Sequence, residues 1–262
     1  VEATKDFGLV SDYDIDTTAG AYLKRLDYFG DCGYDLIIAV GYMWNDAVIA
    51  AARKYPGTDF ILVDATVSES LPNVESIVFD VDEAAYPLGY LSAWWAYHQD
   101  AGDPAVGYVG ALAADPVRQL TEPFLSGVNR FNQQYGTSVS SYGGYVGSFV
   151  DSVKGGQMAD SLMNLGADII FGVGGQTGDG ALLKAYERHR WGIGVDVDQS
   201  ISIPVLSATL LSSAMKRLDH AIYAVVQSKV DNKFSGGGVY TGNLANDGVQ
   251  MAPYHGFASQ IP

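Results

Sequence analysis

The sequence predicts an α/β fold of two doubly wound parallel-sheet lobes joined by a hinge. Short apolar runs alternate with helix-like segments along the chain, which is typical of parallel sheets. The runs are continuously apolar rather than alternating, as in strands that are covered on both faces. A polar stretch with a proline, residues 99–105 (QDAGDPA), separates two sets of these segments and is interpreted as a linker.

The predicted strands and helices follow one another in a regular order. The predicted strands are Asp35–Val40, Phe60–Val63, Ser76–Phe79, Val106–Gly110, Asp168–Gly174, Trp191–Val195 and Val205–Leu210. The predicted helices are Ala19–Phe29, Asn45–Tyr55, Glu83–His98, Pro116–Tyr135, Ser152–Leu165, Gly180–Arg188 and Leu211–Ser228. We assign residues 1–102 and about 205–262 to lobe one and residues 103–204 to lobe two, because the last segments are expected to cross back.

Composition limits the classes of function. The chain has 262 residues, is 48% hydrophobic and carries a formal net charge of −15, which argues against a nucleic-acid partner or charge-driven docking on anionic lipid. The single cysteine, Cys32, can form neither an internal disulfide nor a thiolate metal site. No apolar stretch of about 18 residues and no signal peptide is recognisable in the sequence.

Polar, aromatic and glycine residues follow one predicted strand after another. GYMWNDA follows the first strand, Asp64 the second, GQTGDG the run ending at Gly174, and Asp196 the run ending at Val195. Ligands of parallel sheets bind beyond the carboxyl ends of the strands. We therefore expect these residues to face a cleft between the lobes.

Six motifs carry a resemblance to a known family. In order they are LPNVESIVFDVDEAAYPLGYLSAWWA, VGYVGALAADP, YVGSFVD, GADIIFGVGGQTGDG, WGIGVDVDQ and VLSATLLSSAMKRLD. Together they resemble the basic membrane protein family, the purine-nucleoside-receptor-like substrate-binding lipoproteins of ABC importers. The resemblance extends from about Tyr22 to Pro253. It implies a type I periplasmic-binding-protein fold, a periplasmic or cell-surface location, a nucleoside ligand, an ABC transporter permease as partner, and no cofactor.

The amino-terminal residues depart from the family pattern. The stretch VEATKDFGLVSDYD is similar to the second strand of the family, so the first strand–helix unit is expected to be absent. In the family that unit supplies the central strand of lobe one and an aromatic ring that stacks on the base.

The resemblance implies ligand-binding roles for three residues of the predicted first lobe. Asp46 would accept hydrogen bonds from base N–H groups, Trp44 would cover the ligand, and Asp64 would belong to the ribose site or to a hydrogen-bond network of the cleft. The residues alone leave other interpretations open. Asp46 suits the first turn of a helix, Asp64 suits a turn, and Trp44 suits ordinary packing.

Four further residues complete the candidate site. The resemblance implies that Phe149 stacks on the purine, that Asp196 binds the two ribose hydroxyls, and that Lys216, predicted on a helix, compensates Asp196. Gln176 lies in a predicted glycine-rich turn and either contacts the ligand or shapes the turn. Core packing of Phe149 and a solvated Lys216 are the alternatives from the residues alone.

No motif of catalysis, metal binding or phosphate binding is recognisable. GVGGQTGDG lacks the lysine of a phosphate-binding loop, and DVDQS lacks the acidic positions of a calcium loop. The four histidines show no metal-ligand spacing, and no nucleophile is paired with a base. We interpret Asp151 as a helix N-cap, and Asp198 as a turn residue or a solvent-exposed one.

Three functions are weighed. The first is a non-enzymatic receptor that captures a purine nucleoside in the cleft for ABC-type import. The second is a structural protein on the same fold that polymerises through exposed strand edges. The third and weakest is a nucleoside hydrolase, against which the lack of an identifiable catalytic base counts.

Overall fold

The computed structural model describes residues 2–15, 20–99 and 102–262, which divide into two compact units. Unit 1 comprises Val1–Phe79 and Leu218–Gly242, and unit 2 comprises Asp80–Arg217 and Asn243–Pro262. Each unit contains a sheet dominated by parallel pairs, so the predicted α/β class is confirmed. Ala19 of the first predicted helix, and Asp100 and Ala101 of the predicted linker, lie outside the described residues.

The elements of the described residues are numbered in chain order. The strands are β1 (Leu36–Val40), β2 (Asp59–Val63), β3 (Val74–Phe79), β4 (Ala105–Gly110), β5 (Ser140–Tyr145), β6 (Ile169–Val173), β7 (Trp191–Asp196), β8 (Leu210–Lys216), β9 (Val239–Gly242) and β10 (Val249–Met251). The α-helices are α1 (Glu2–Asp6), α2 (Tyr22–Asp31), α3 (Asn45–Lys54), α4 (Asp82–Gln99), α5 (Asp115–Tyr135), α6 (Ser152–Asn164), α7 (Gly175–Glu187), α8 (Gln199–Ser202) and α9 (Leu218–Val230). Short 3-10 helices cover Tyr42–Trp44, Pro204–Ala208, Leu244–Asn246 and His255–Phe257.

Unit 1 is built on a four-stranded parallel sheet in the order β1-β2-β3-β9. Strand β2 is apolar from Phe60 to Val63, and the side chains of Phe60 and Leu62 are fully buried against Val48 of α3. Buried Asn73 donates to the carbonyl oxygen of Ala52 (3.0 Å), which the end of α3 leaves open, and to that of Thr58 (2.9 Å) in the turn before β2.

Unit 2 contains a six-stranded sheet in the order β10-β8-β7-β6-β4-β5. All pairs are parallel except β10 with β8, so β4 to β8 end at the same edge of the sheet. Glycines bring the flanking helices close: a Cβ on Gly89 of α4 would collide with the carbonyl oxygen of Phe124 in α5, and a Cβ on Gly155 of α6 with that of Thr177 in α7. The helices therefore pack backbone against backbone.

The units differ in their boundaries from the predicted lobes of residues 1–102 with 205–262 and residues 103–204. Helix α4 belongs to unit 2 because its buried face packs on α5 and on the sheet of that unit. Strand β8 also belongs to unit 2, whereas α9 belongs to unit 1. The carboxy-terminal tail divides in the same way, because β9 pairs with β3 and β10 pairs with β8.

Two predictions for residues 205–228 are wrong. Pro204–Ala208 is a 3-10 helix rather than a strand, and Leu210–Lys216 is a strand rather than the start of a helix. The sequence of this region is apolar with interspersed serines and suits either structure. The region forms a strand because β8 pairs with β7 on one side and with β10 on the other. Within this strand, the buried hydroxyl of Ser212 donates to the carbonyl oxygen of Ala252 at 2.7 Å.

Two further differences concern strands. The stretch from Val1 to Asp14 was expected to resemble a second strand, but α1 occupies Glu2–Asp6 and no described strand pairs with residues 9–15. The sequence analysis does not predict β5, whose sequence SSYGGY is polar and rich in glycine. Gly143 is needed there because a Cβ would collide with the ring of Tyr108 on β4.

Glu75 generates a prediction about stability. Its carboxylate on β3 is buried, and Oε2 has no hydrogen-bond partner among the described residues. Burial raises the pKa of Glu75, and a hydrogen bond from the Ser235 backbone opposes this only in part. A raised pKa stabilises the wild-type fold fully below the unfolded-state pKa, and that contribution is lost as pH rises through the folded-state pKa. The glutamine of Glu75→Gln does not titrate. The stability of this variant relative to wild type should therefore increase with rising pH.

We expect Glu75→Gln to raise the free energy of unfolding by about 1 kcal/mol at pH 7.5 and to change it little at pH 4, as urea titrations measure. Glu122→Gln removes an exposed glutamate of α5 and is the matched control. A Glu75→Gln variant that is less stable than wild type at pH 7.5 would contradict the expectation.

Candidate functional site

The candidate residues of unit 2 lie at the carboxyl ends of three neighbouring strands. Asp196 is the last residue of β7 and Lys216 is the last residue of β8. The ring of Phe149 lies on Gly174, which follows β6: a Cβ on that glycine would be 3.1 Å from ring atom Cε1. Adjacent strands are about 4.8 Å apart, so the three groups span roughly 10 Å along one sheet edge.

Asp196 is held in a strained turn. Its φ is +65°, and the N–H of Val197 donates to the carbonyl oxygen of Val195 at 2.7 Å. A three-residue turn with positive φ at its centre is rare for any residue with a side chain. Such strain costs on the order of 1–3 kcal/mol and persists when the surroundings enforce it.

The side chain of Gln199 links the start of this turn to helix α7. Its Oε1 accepts from the N–H of Val195 at 2.9 Å, and its Nε2 donates to Oδ1 of Asp179 on α7 at 2.7 Å. Gln199 is buried, and its backbone N–H donates to Oγ of Ser213 at 3.3 Å. A Cβ on Gly194 would lie 2.5 Å from Gln199 Oε1, so glycine at this position leaves room for the amide.

Lys216 and Asp196 form an ion pair with unequal exposure. Nζ of Lys216 lies 3.4 Å from Oδ1 of Asp196, and the side chains are 10% and 44% exposed. Lys216 ends a strand, so its predicted position on a helix is wrong for the reason given for β8. The ammonium compensates the carboxylate from the protein side, while the carboxylate oxygens keep access to solvent.

Asp179 is a second carboxylate near the turn, and the sequence analysis does not identify it. Partial burial raises the pKa of Asp179, the hydrogen bond from Gln199 opposes this rise, and the charge of Asp196 adds to it. The end of β7 therefore holds Asp196 and Asp179, with the ammonium of Lys216 against Asp196 and the amide of Gln199 against Asp179.

Gln176 and its neighbours lie on a helix rather than in a glycine-rich turn. Helix α7 begins at Gly175, so Gln176 is an exposed residue of its first turn. Thr177 shapes the site from within: its hydroxyl donates to the carbonyl oxygen of Ser148 at 2.6 Å and accepts from the N–H of Asp151 at 3.1 Å. The predicted loop is wrong because these glycines serve helix packing, as Gly178 does where it lies against Gly172 of β6.

The segment that carries Phe149 is tied down at both ends. The N–H groups of Gly147 (2.7 Å) and Ser148 (3.1 Å) donate to the carbonyl oxygen of Ala111, and the carbonyl oxygen of Phe149 accepts from the N–H of Thr177 at 3.2 Å. Asp151 caps α6 as predicted, since its side chain accepts from the N–H of Lys154. That hydrogen bond lowers the pKa of Asp151.

Asp198 caps a different helix. Its Oδ1 accepts from the N–H of Ser200 at the start of α8 at 3.1 Å, so Asp198 is a helix N-cap rather than the predicted turn or solvent residue. Its Oδ2 lies 2.7 Å from Nε2 of His255. Both contacts fix the start of α8, where Gln199 lies.

Unit 1 carries the other three candidates at its own strand ends. The ring of Trp44 lies 4.5 Å from that of Tyr22 and packs on the core, while exposed Asp46 in the first turn of α3 accepts from the side chain of Asn45 at 2.9 Å. Asp64 follows β2 with φ +68°, and its N–H donates to the carbonyl oxygen of Ile77 at 2.9 Å. Asp64 and Asp196 thus share a strained conformation beyond a buried strand.

Metal-binding clusters and membrane-spanning helices are both absent from the described residues. In residues 2–15, 20–99 and 102–262, no group of three or more His, Cys, Asp or Glu side chains is placed to hold a metal ion. Within the same ranges, no helix has both the length and the apolar character that crossing a membrane requires.

The chain is similar to substrate-binding proteins of ABC transporters. The family model described as "ABC transporter substrate-binding protein PnrA-like" matches residues 2–260. The chain is 27% identical over 248 residues to the ABC transporter nucleoside-binding protein BmpA of Lactococcus lactis, covering 89% of this chain and 68% of that protein. It is 29% identical over 219 residues to a lipoprotein of Pyrococcus horikoshii, covering 82% of this chain and 53% of that protein.

A solved structure agrees with these sequence relatives. An ABC transporter solute-binding protein from Aeropyrum pernix superimposes with a TM-score of 0.88 at 28% identity, over 96% of this chain and 70% of that one. The chain thus spans between about half and 70% of the length of these similar proteins.

The strained turn predicts an unusual order of stability among substitutions. Glycine adopts positive φ without cost and alanine does not, so Asp196→Gly should exceed Asp196→Ala in free energy of unfolding by about 1 kcal/mol, measured by urea titration. Asp160 lies within α6, where alanine should exceed glycine by about the same amount. If alanine were more stable than glycine at position 196 as well as at position 160, the strain at Asp196 would be contradicted.

Proposed function

Because the chain belongs to the PnrA-like family of ABC transporter substrate-binding proteins, we propose that it captures a purine nucleoside and presents it to an ABC transporter permease. The nucleoside-binding name of one relative supports the ligand class. The lipoprotein name of another supports an extracytoplasmic location at a cell surface or in a periplasm. No bond is broken, so the ligand leaves unchanged.

The observation that carries this proposal is the pair of Asp196 and Lys216. An ionised carboxylate accepts two hydrogen bonds, and the neighbouring hydroxyls of a ribose donate two. The exposed carboxylate of Asp196 matches that pattern, while Lys216 Nζ, 3.4 Å from Oδ1, compensates its charge and has protons to donate to a ribose oxygen. The proposal thus assigns ribose recognition to the ends of β7 and β8.

Phe149 is proposed to hold the base. Its ring lies directly on the backbone at Gly174, and the hydrogen bonds of its segment fix that position. A fixed flat ring suits a purine, because base–aromatic stacking contributes about 1–3 kcal/mol per base. Gln176 lies in the first turn of α7, next to Gly175, whose backbone lies close to Phe149, and is proposed to donate a hydrogen bond to the ligand.

The residues of unit 1 are proposed to complete recognition. Asp46 would accept from base N–H groups, Asp64 would contact the ribose, and Trp44 would cover the ligand. The exposure of Asp46 and the strained backbone of Asp64 support these roles. That both units close on one ligand stays a prediction from the resemblance.

Calorimetric titration with inosine tests the proposed function. Wild type should bind inosine, and Asp196→Asn should weaken binding by about ten- to a hundredfold, because hydrogen bonds to a charged group contribute about 1.5–3 kcal/mol. The exposed residue Asp231 provides the control Asp231→Asn, with the same change of charge and unaltered affinity. The inosine recovered after incubation should be intact. Failure of wild type to bind any purine nucleoside would refute the proposal.

Self-assembly is a second candidate function, and the edge of the unit 1 sheet favours it. Strand β1 ends the strand order, and no described strand pairs with its outer edge. Ile38 and Val40 on this strand are 36% and 52% exposed, which is unusual for a strand of a parallel sheet. Open apolar edges pair with other chains, and a second copy is the proposed partner.

Light scattering after size exclusion tests self-assembly. If copies join through β1, wild type should form oligomers whose mass rises with concentration, and Ile38→Lys should reduce them to monomers, because a lysine on an edge strand blocks pairing. Leu165→Lys places the same charge on an exposed apolar site of unit 2 and should leave assembly unchanged. A wild-type protein that is monomeric at all concentrations would exclude this candidate.

A further inference from the structure

The end of β7 contains a hydrogen-bond arrangement that the proposed ligand contacts do not use. Gln199 is 5% exposed, and both ends of its side-chain amide are engaged, with Val195 and with Asp179. Its backbone is fixed as well, by Ser213 and by the cap that Asp198 provides for α8. A buried side chain with this many partners has one available position.

We propose that Gln199 is a positioning residue that holds Asp196 in its strained turn, with the carboxylate directed at the ligand. The inference rests on the proposed function, because it concerns the same site. Gln199 Oε1 fixes the N–H of the residue before Asp196, and the backbone bond between Val197 and Val195 then forces the turn. The strain at φ +65° persists because this buried acceptor is already in place.

The chemistry of the position requires an amide. The side chain at 199 must accept from a backbone N–H and donate to a carboxylate at the same time, and amides do both. A carboxylate at 199 would still accept from Val195 but would face Asp179. An apolar side chain would leave two buried polar groups without partners.

Exchanging the two side chains separates positioning from general packing. In Gln199→Glu, two carboxylates face each other. In the double variant Gln199→Glu with Asp179→Asn, the hydrogen bond re-forms with the amide at 179 as donor and the carboxylate at 199 as acceptor. The double variant also has the total charge of wild type. We expect Gln199→Glu to bind inosine about tenfold more weakly at pH 7.5, and the double variant to recover to within about twofold of wild type.

The pH dependence of inosine affinity distinguishes a positioning role from a merely structural one, because a merely structural role would not change it. The charged or titratable groups around Gln199 are Asp179 on α7, Asp196 on β7, Lys216 on β8, and Asp198 with His255. In Gln199→Glu, residues 199 and 179 can share one proton as pH falls, so affinity relative to wild type should rise from pH 7.5 to pH 5.5. Gln199→Met, which loses both hydrogen bonds without adding charge, should bind weakly to the same degree at both values.

Amide hydrogen exchange without ligand keeps the inference testable if wild type does not bind inosine. The amides of Val195 and Val197 should exchange faster in Gln199→Met and Gln199→Glu than in wild type, and slowly again in the double variant. Folded variants with wild-type exchange at both amides would overturn the positioning role whether or not a nucleoside binds. Wild-type protection that is lost in Gln199→Met, without inosine binding, would refute the proposed function alone.

Discussion

A carboxylate at the end of a buried strand must be compensated, and the candidate site of unit 2 is organised around that requirement at Asp196. Lys216 supplies the opposite charge from the next strand, and Gln199 fixes the backbone before the carboxylate. Neither contact closes off the carboxylate, which keeps access to solvent. Compensation from one side and access from the other leave a carboxylate that is electrostatically stabilised and still able to accept hydrogen bonds from solvent.

The packing of α7 makes this arrangement possible. Gly178 lies against the backbone of Gly172 on β6, and the backbone of Thr177 lies against Gly155 of α6. These contacts draw the first turns of the helix onto the sheet, so that Thr177 ties the segment before Phe149 and Asp179 reaches Gln199. One close-packed helix therefore positions both the segment of Phe149 and the carboxylate that bonds Gln199.

The sequence alone predicts the parts of this account that depend on local pattern. Continuous apolar runs predict most strands, and Asp196 is identifiable because charged residues follow such a run directly. The predicted helix at Lys216 is wrong because the sequence around it suits a helix or a strand equally. Only the pairing of β8 with β7 and β10 distinguishes the two. The role of Gln199 depends on Asp179, twenty residues away along the chain, and no local pattern reports a contact at that separation.

The most direct test of the central claim compares two ligands of the wild-type protein by calorimetry. Inosine and 2′,3′-dideoxyinosine share the base, but the dideoxy ligand lacks the two ribose hydroxyls that are proposed to donate hydrogen bonds to Asp196. The account predicts that inosine binds at least about tenfold more tightly, because a carboxylate placed for two hydroxyls loses both partners in the dideoxy ligand. Equal affinity for the two ligands would contradict it.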